Sequence, residues 1–237
     1  MAGMFDPRIQ ETNIKMQTVE NTTKNDSETE VIDLVRLDES SIREAKGILY
    51  QAYHFDPTFK YLFDFERPGY DQRVRATLRE LIELHFAKNQ EAIGVTVNNL
   101  LVAVAFIGSP HVRLNLADQI NWRLRMMLTA GLASTRRYID YHEQISALFP
   151  KDQHHELPLM GVLPKYQNQG IGTTLIKAVE HLCAENPKSA GLGLDTGNAR
   201  YLDFYKSLGY EQVGEIELES VKEVVLFKSS DKLTGRI

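Results

Sequence analysis

The stretch from Leu157 to Leu175, LPLMGVLPKYQNQGIGTTL, constrains the fold more than any other part of the chain. It begins as an apolar run, turns at Leu163-Pro164-Lys165-Tyr166, passes through Gln167-Asn168-Gln169-Gly170-Ile171-Gly172 and enters an amphipathic helix. Strand, glycine-bearing loop and helix start, in that order, build an anion site. The first N–H groups of a helix have no partner within it, and the helix dipole adds about half a positive charge there. Gly170 and Gly172 lack Cβ, so a bulky phosphate can approach the backbone closely. The loop has no Lys or Arg after Lys165, so backbone rather than side chains should meet the charge. It also lacks the Gly-Lys-Ser/Thr ending of a nucleotide triphosphate loop and the three-glycine spacing of a dinucleotide fold. A plain strand-to-helix connection, with glycines for tight packing, is the competing reading.

Elements on either side of this stretch follow from their periodicity. Residues 1–29 are polar and read as a flexible leader. Val31 to Leu37 reads as a strand, and Ile42, Ala45, Leu49, Ala52 and Tyr53 recur on one helical face behind cap candidates at 38–41. Asp56-Pro57 reads as the end of that helix. Behind it Phe59, Tyr61, Leu62, Phe63 and Phe65 form an aromatic patch, either a cleft wall or a satellite cluster under a loop. A helix is expected over Asp71 to Lys88, with His85 at the edge of the core. Ala92 to Val97 and Leu100 to Ile107 flank Asn98-Asn99, a two-residue hairpin turn. Leu116 to Leu148 is helical with a break near Gly131. Its Arg123, Arg125, Arg136 and Arg137 read as a solvated face, with recognition of an acidic substrate group as the minority reading. After the loop, Leu175, Ile176, Val179, Leu182 and Cys183 share a helix face, so Cys183 reads as core. Ala190 to Leu194 is a short strand in which Gly191 and Gly193 point to close packing or strand splay rather than a second phosphate site. A helix from Ala199 to Leu208 stops at Gly209, and 211–218 with 222–228 close the chain as a hairpin.

Composition narrows the functional classes. With 237 residues, 43% hydrophobic and 25% charged, the chain can bury a sizeable core. A formal charge of −5 leaves no basic surplus for nucleic acid. A single cysteine excludes an internal disulfide and fits a reducing compartment. No apolar run is long enough for a membrane span and no signal-peptide pattern opens the chain, so a cytoplasmic protein without membrane partners is expected.

Gln-x-x-Gly-x-Gly after a strand ending Val-x-Pro closely resembles motif A of the GNAT acetyltransferase superfamily, whose loop holds the pyrophosphate of acetyl-CoA. The likeness continues into Asn198-Ala199-Arg200-Tyr201-Leu202-Asp203-Phe204-Tyr205-Lys206-Ser207-Leu208-Gly209-Tyr210, which is similar to the family's Asn…Phe-Tyr-x-x-x-Gly-Phe block with Tyr210 in place of Phe. The two motifs and their strands cover residues 154–228. This resemblance implies a single α/β GNAT domain over residues 30–230. Its mixed, twisted sheet would be flanked by helices and split by a V-shaped opening after the Met160 strand. The region at about 112–150 would then be a helical insertion before the CoA-binding strand.

The implied activity is acetyl-CoA-dependent N-acetylation, by direct transfer within a ternary complex. An alkylamine is only about one part in a thousand neutral at pH 7, so transfer needs a base. Glu156, fourteen positions before Gly170, matches the strand glutamate used as base in some family members. The six steps from Glu156 to Val162 span roughly 20 Å, comparable to the reach of a pantetheine arm. His154 and His155 are competing bases of more suitable intrinsic pKa. They have no metal-ligand spacing with His111 or His142, so no metal is expected. Tyr205 matches the family tyrosine that donates to the departing sulfur; a core tyrosine is the alternative, since Leu202, Tyr205 and Leu208 share a face. Met160, Gly161 and Val162 are expected to pair with the pantetheine as an added strand would, with a bulge at Gly161. Gln167, Asn168, Gln169, Gly170, Ile171, Gly172 and Thr173 would hold the pyrophosphate. Asn198 resembles a side chain that contacts pantetheine, with a helix N-cap as its alternative. A small-molecule amine is the expected acceptor. A protein N-terminus or lysine, a non-catalytic acyl-CoA-binding regulatory module, and assembly as a homodimer stay open.

Overall fold

The computed structural model describes residues 31–110, 112, 115–219 and 221–233; the leader expected at 1–29 lies outside them. Seven strands form one mixed sheet in the order β1-β2-β3-β4-β5-β7-β6. They are β1 (Ile32–Arg36), β2 (Glu91–Val97), β3 (Leu100–Gly108), β4 (His155–Val162), β5 (Gly191–Thr196), β6 (Glu211–Leu218) and β7 (Val221–Ser229). β4 and β5 pair in parallel and every other neighbouring pair is antiparallel. Asn98 and Asn99, at φ +50° and +64°, make the tight β2–β3 turn that asparagine tolerates and most residues do not.

Helices cover both faces. α1 (Ile42–Tyr53) and α3 (Tyr70–Ala87) bury Leu49, Val74, Leu78 and Ile82 against Val104, Phe106 and Leu159. On the opposite face α6 (Ile171–Ala184) buries Leu175, Ile176, Val179 and Cys183 against Val95, Ala103, Leu192 and Leu226. α7 (Ala199–Ser207) and the short α8 (Ser230–Leu233) add to that side. Burial between helix and sheet, with the charge of Glu180 nearby, pushes the Cys183 thiol up to about 12. Cys183 is therefore packing, as its helical spacing indicates.

Two local expectations need correcting. Asp56-Pro57 ends α1 but also starts another helix, α2 (Pro57–Leu62): the Asp56 carboxylate accepts from the N–H groups of Thr58 and Phe59, and Pro57 takes the first helical turn. The insertion consists of α4 (Leu116–Ala130) and α5 (Leu132–Leu148), joined at Gly131, whose φ of +84° suits glycine. Arg123 and Arg136 stay on a solvated face, but the other two arginines do more. Arg125 binds the buried Glu80 of α3 at 2.6 Å and also Glu83, and Arg137 donates to the Leu62 carbonyl of α2 at 3.1 Å. They clamp the insertion to the rest of the fold, and α5 comes to lie over β7, with Ile145 and Phe149 on Val225 and Phe227.

The sheet is split where β4 meets β5. Only His155 and Glu156 of β4 pair with β5, opposite Leu192 and Gly193, and beyond them the strands part. On its other edge β4 carries a bulge: Leu157 and Pro158 together oppose Ile107 of β3. Pro158 has no N–H to offer a neighbouring strand at the point of divergence. The bulge also switches faces, sending Leu157 toward α6 and Leu159 toward α1 and α3. The bulge thus precedes the expected Gly161. Gly161 is needed for packing instead, because a Cβ there would lie 3.0 Å from Ala52 and Leu49, and its absence lets α1 close on β4. Gly193 is bare for a similar reason, since Phe149 of α5 lies within 2.5 Å of where its Cβ would be. Among the described residues no helix is long and apolar enough to cross a membrane.

Candidate active site

The parted strands enclose a cleft of about 440 Å³ whose lining comes from both faces of the sheet. On the α6–α7 face it is lined by Gln167, Asn168, Gly170, Gly172, Thr173 and Tyr205. On the other, Tyr53, Asp56, Thr58, Tyr138 and Tyr141 contribute from α1, α2 and α5. Glu156 and Met160 of β4 face Asp195 of β5 across the gap, and Glu223 of β7 lies beyond.

The first end is where an anion site is expected. Gly170 caps α6 in the left-handed conformation at φ +80°, with open space where a Cβ would stand. The first bond within α6 runs from Thr174 N–H to Gly170 C=O, so the N–H groups of Ile171, Gly172 and Thr173 lie ahead of the helical ladder. No acidic residue sits in the first turn. The loop is braced by its own amides: Gln167 donates to the Val162 carbonyl at 3.0 Å and Gln169 to the Lys165 carbonyl at 2.8 Å. Ile171 is buried in the core, so only its backbone serves the site. Side-chain charge is present after all. Arg200, on the first turn of α7, donates to Asn168 Oδ1 at 3.0 Å and lines the cleft. It is far from the loop in sequence, which is why the loop alone does not reveal it. These features fit a bound diphosphate: unpaired backbone donors, an uncrowded glycine, an arginine at the rim and no opposing carboxylate.

At the middle of the gap, Met160 N–H donates to Tyr53 Oη at 3.2 Å. The Val162 carbonyl is engaged by Gln167, so α1 and the loop already hold part of the β4 edge expected to receive an added strand. The Tyr205 hydroxyl points at Met160 Sδ, 4.0 Å away, and its ring lies against Phe204 and Tyr210. Burial raises the Tyr205 pKa, which keeps the phenol a proton donor across the physiological range. Tyr205 is thus both packed and open to the cleft. Asn198 takes its alternative role: its side chain caps α7 by accepting from Arg200 N–H at 3.1 Å.

The far end is acidic and aromatic, and sequence reasoning missed it. Asp195 accepts from the Tyr141 hydroxyl, and Glu223 accepts from the Thr58 hydroxyl. The two carboxyl groups are diagonal neighbours on β5 and β7, and burial together with their mutual repulsion favours one proton held on the pair. Burial and the neighbouring Asp195 charge push Glu223 up to about 9, burial raises Asp195 as well, and burial lifts Asp56 to about 6. Around them stand the rings of Tyr53, Phe59, Tyr138 and Tyr141, with Tyr53 stacked on Phe59 at 4.5 Å. Phe59 therefore belongs to the cleft wall, whereas Phe63 is fully buried core and Phe65 is an outer contact of Tyr70. Among the described residues no group of His, Cys, Asp or Glu is placed to hold a metal ion.

Glu156 lines the cleft where β4 and β5 separate, on the side facing Tyr138. Its side chain is 40% exposed and its Oε1 lies 3.8 Å from His154 Nε2. His155 turns to the other face, where its Nδ1 meets the Ser189 hydroxyl at 2.8 Å. Of the two competing histidines, only His154 stays beside Glu156.

Residues 137–212, from α5 to the start of β6, match the family model described as Acetyltransferase (GNAT) domain. The fold is similar to a histone acetyltransferase HPA2 and related acetyltransferase from Corynebacterium glutamicum (TM-score 0.62, 18% identity, 83% of this chain and 95% of that one). It is similar to arylalkylamine N-acetyltransferase 2 from Aedes aegypti (TM-score 0.64, 14% identity, 84% and 99%). It is also similar to the C-terminal condensation domain of Ebony in complex with β-alanyl-dopamine (TM-score 0.61, 13% identity, 84% and 99%). No curated protein matches the chain in sequence.

Proposed function

We propose that this chain, whose residues 137–212 match a GNAT acetyltransferase domain model and whose fold is similar to that of acetyltransferases, transfers an acetyl group from acetyl-CoA to the primary amine of a small molecule with an apolar or aromatic body. One observation carries this reading. The parted sheet has anion-binding backbone and Arg200 at one end of the cleft and a carboxyl pair ringed by tyrosines at the other. A diphosphate suits the first end and an ammonium the second, so donor and acceptor would meet in the gap beside Met160.

The thioester supplies an activated acyl group. This chain's residues align the partners and move protons. The Asp195–Glu223 pair attracts the ammonium, and the tyrosine rings accept its apolar body and add cation–π attraction. Glu156 takes the first proton from the ammonium, Tyr205 donates to the departing sulfur, and the second amine proton, released as the intermediate collapses, restores the Tyr205 phenol. Of the similar structures, one is named an arylalkylamine N-acetyltransferase and one holds β-alanyl-dopamine. At such low identity they share a fold, and the substrate class rests on the residues of this cleft.

A panel of amines assayed for thiol release from acetyl-CoA tests the proposal. Arylalkylamines and apolar primary amines should turn over well ahead of lysine peptides and protein N-termini. Preference for peptides would overturn the substrate class, and acetyl-CoA binding without release to any amine would favour a regulatory module.

A further inference from the structure

Glu156 has a neighbour whose arrangement the transfer scheme leaves unused. The Nδ1 of His154 lies 2.8 Å from the Asp152 carbonyl oxygen. A carbonyl can only accept, so Nδ1 carries hydrogen and, in the neutral ring, the lone pair belongs to Nε2. That Nε2 is buried, has no hydrogen-bond partner and lies 3.8 Å from Glu156 Oε1. The ring is fixed by Phe149 at the end of α5, with centroids 5.1 Å apart, and by the edge-on ring of Phe227 on β7 at 5.6 Å. Two acceptors thus face each other across a gap just too long for a hydrogen bond. Nothing joins them until a proton arrives.

We propose that His154 is the proton-receiving and positioning partner of Glu156, so that the base of this site is a carboxylate–imidazole pair; the inference rests on the acetyl-transfer reading above. As the acceptor amine is activated, one N–H bond of its ammonium breaks and an O–H bond forms on Glu156. The nitrogen keeps the electron pair with which it attacks the thioester carbonyl. The Glu156 O–H then donates to His154 Nε2, and when the proton crosses, the carboxylate is restored and an imidazolium remains. Charge is conserved, since one cation (ammonium) is replaced by another (imidazolium). Small side-chain rotation closes the gap, as is common when catalytic hydrogen bonds tighten on substrate binding. The chemical gain is basicity: an ordinary imidazole holds a proton about a hundredfold more strongly than an ordinary carboxylate. Other groups facing the pair do not replace this function. Tyr138 of α5 stands near both Glu156 and Asp195 and keeps its proton, Phe149 and Phe227 carry no charge, and His155 lies on the opposite face of β4.

Two measurements on the full chain test it. Histidine-ring nitrogen NMR at fixed pH compares His154 with and without Glu156→Gln. Replacing the facing carboxylate by an amide should move the His154 Nε2 resonance, whereas an unchanged resonance would overturn the pairing. This readout needs no turnover, so it stands apart from failure of the acetyl-transfer reading, which would show as no thiol release from the wild type with any amine. In kinetics, His154→Asn and His154→Gln should each slow kcat about tenfold or more and move the acidic limb of kcat/KM by about two pH units toward the carboxylate range. Acetyl-CoA affinity should be unchanged. Gln can donate to Glu156 but cannot take its proton, so a Gln variant with wild-type rate and pH profile would reduce His154 to a structural prop and refute proton transfer.

Discussion

Replacing Glu223 with Gln tests the carboxyl pair directly. In the wild type the Thr58 hydroxyl donates to Glu223, and Glu223 shares a proton with Asp195. An amide reproduces both bonds: its oxygen accepts from Thr58 and its N–H donates to Asp195. The shape is kept and only the titration is lost. Glu223 has an ordinary value of 4.5 when unfolded and is pushed up to about 9 in the fold. The folded state therefore binds a proton that the unfolded state has released between those values. Stability is full below about pH 4.5 and declines as pH rises toward 9. At about 1.36 kcal/mol per pH unit the loss from pH 5 to pH 8 has a ceiling of about 4 kcal/mol. Sharing of the proton with Asp195 and access of water to the cleft reduce this to on the order of 2 kcal/mol. For a chain of this size that is a change in Tm of about 4–8 °C. Thermal unfolding of wild type and Glu223→Gln at pH 5, 6.5 and 8, at constant ionic strength, should show coincident Tm values at pH 5 and a variant more stable by that amount at pH 8. Asp56, lifted to about 6, shifts both proteins with the same sign, and only its added repulsion of Glu223 enters the difference. Parallel curves, or a variant weaker at every pH, would refute the shared proton.

Four further outcomes follow from the geometry. Gly170→Asp should fold normally, since its side chain meets open space and aspartate tolerates the left-handed backbone, but should weaken acetyl-CoA binding about a hundredfold by calorimetry through charge repulsion. Arg200→Ala should raise the acetyl-CoA Kd several-fold at low salt and less as ionic strength rises. Tyr205→Phe should lower kcat about tenfold or more with acetyl-CoA affinity unchanged; an unaltered rate would leave Tyr205 as packing alone. A bound amine should raise Tm more at pH 8 than at pH 5, because an ammonium offsets the second charge that Glu223 acquires as pH rises.

The legible parts of this molecule are those whose physics is local. The turn at Asn98-Asn99, the N-cap at Asn198 and the loop with Gly170 are each set by residues within a few positions of one another, and each stands where its pattern indicates. Asp56-Pro57 is a weaker case: the same dipeptide that stops one helix is a good start for the next, and reading only the stop hides α2. The bulge lies at Leu157-Pro158 rather than Gly161 because glycine signals permission to bend, whereas a missing N–H and the register of β3 decide where bending occurs. The carboxyl pair is illegible for a different reason. Asp195, Glu223, Thr58 and Tyr141 come from four elements, and no spacing in the chain ties them together. A hint exists: Glu223 stands directly before the apolar run Val224–Phe227 of β7, and Asp195 directly after Leu194, where the apolar run of β5 stops.

That pair also bears on why the fold keeps a costly arrangement. A buried carboxyl that must retain its proton weakens folding above its ordinary pKa, and replacement by an apolar pair of like volume would often stabilise a core. Here the two acids do not lie in the closed core under α6 but in the gap where β4 and β5 separate, within reach of a ligand. The free energy that destabilises the fold as pH rises is the same free energy an entering ammonium recovers, since a cation between the two carboxyl groups removes the need for the shared proton. Under the proposed function, a cleft relaxed by a cation would favour charged amines over neutral molecules of the same shape. The tyrosines reinforce the selection from the other side, because burial holds Tyr138 and Tyr141 protonated and leaves their rings as neutral walls. Selectivity for the acceptor and pH-dependent stability are then two measurements of one interaction.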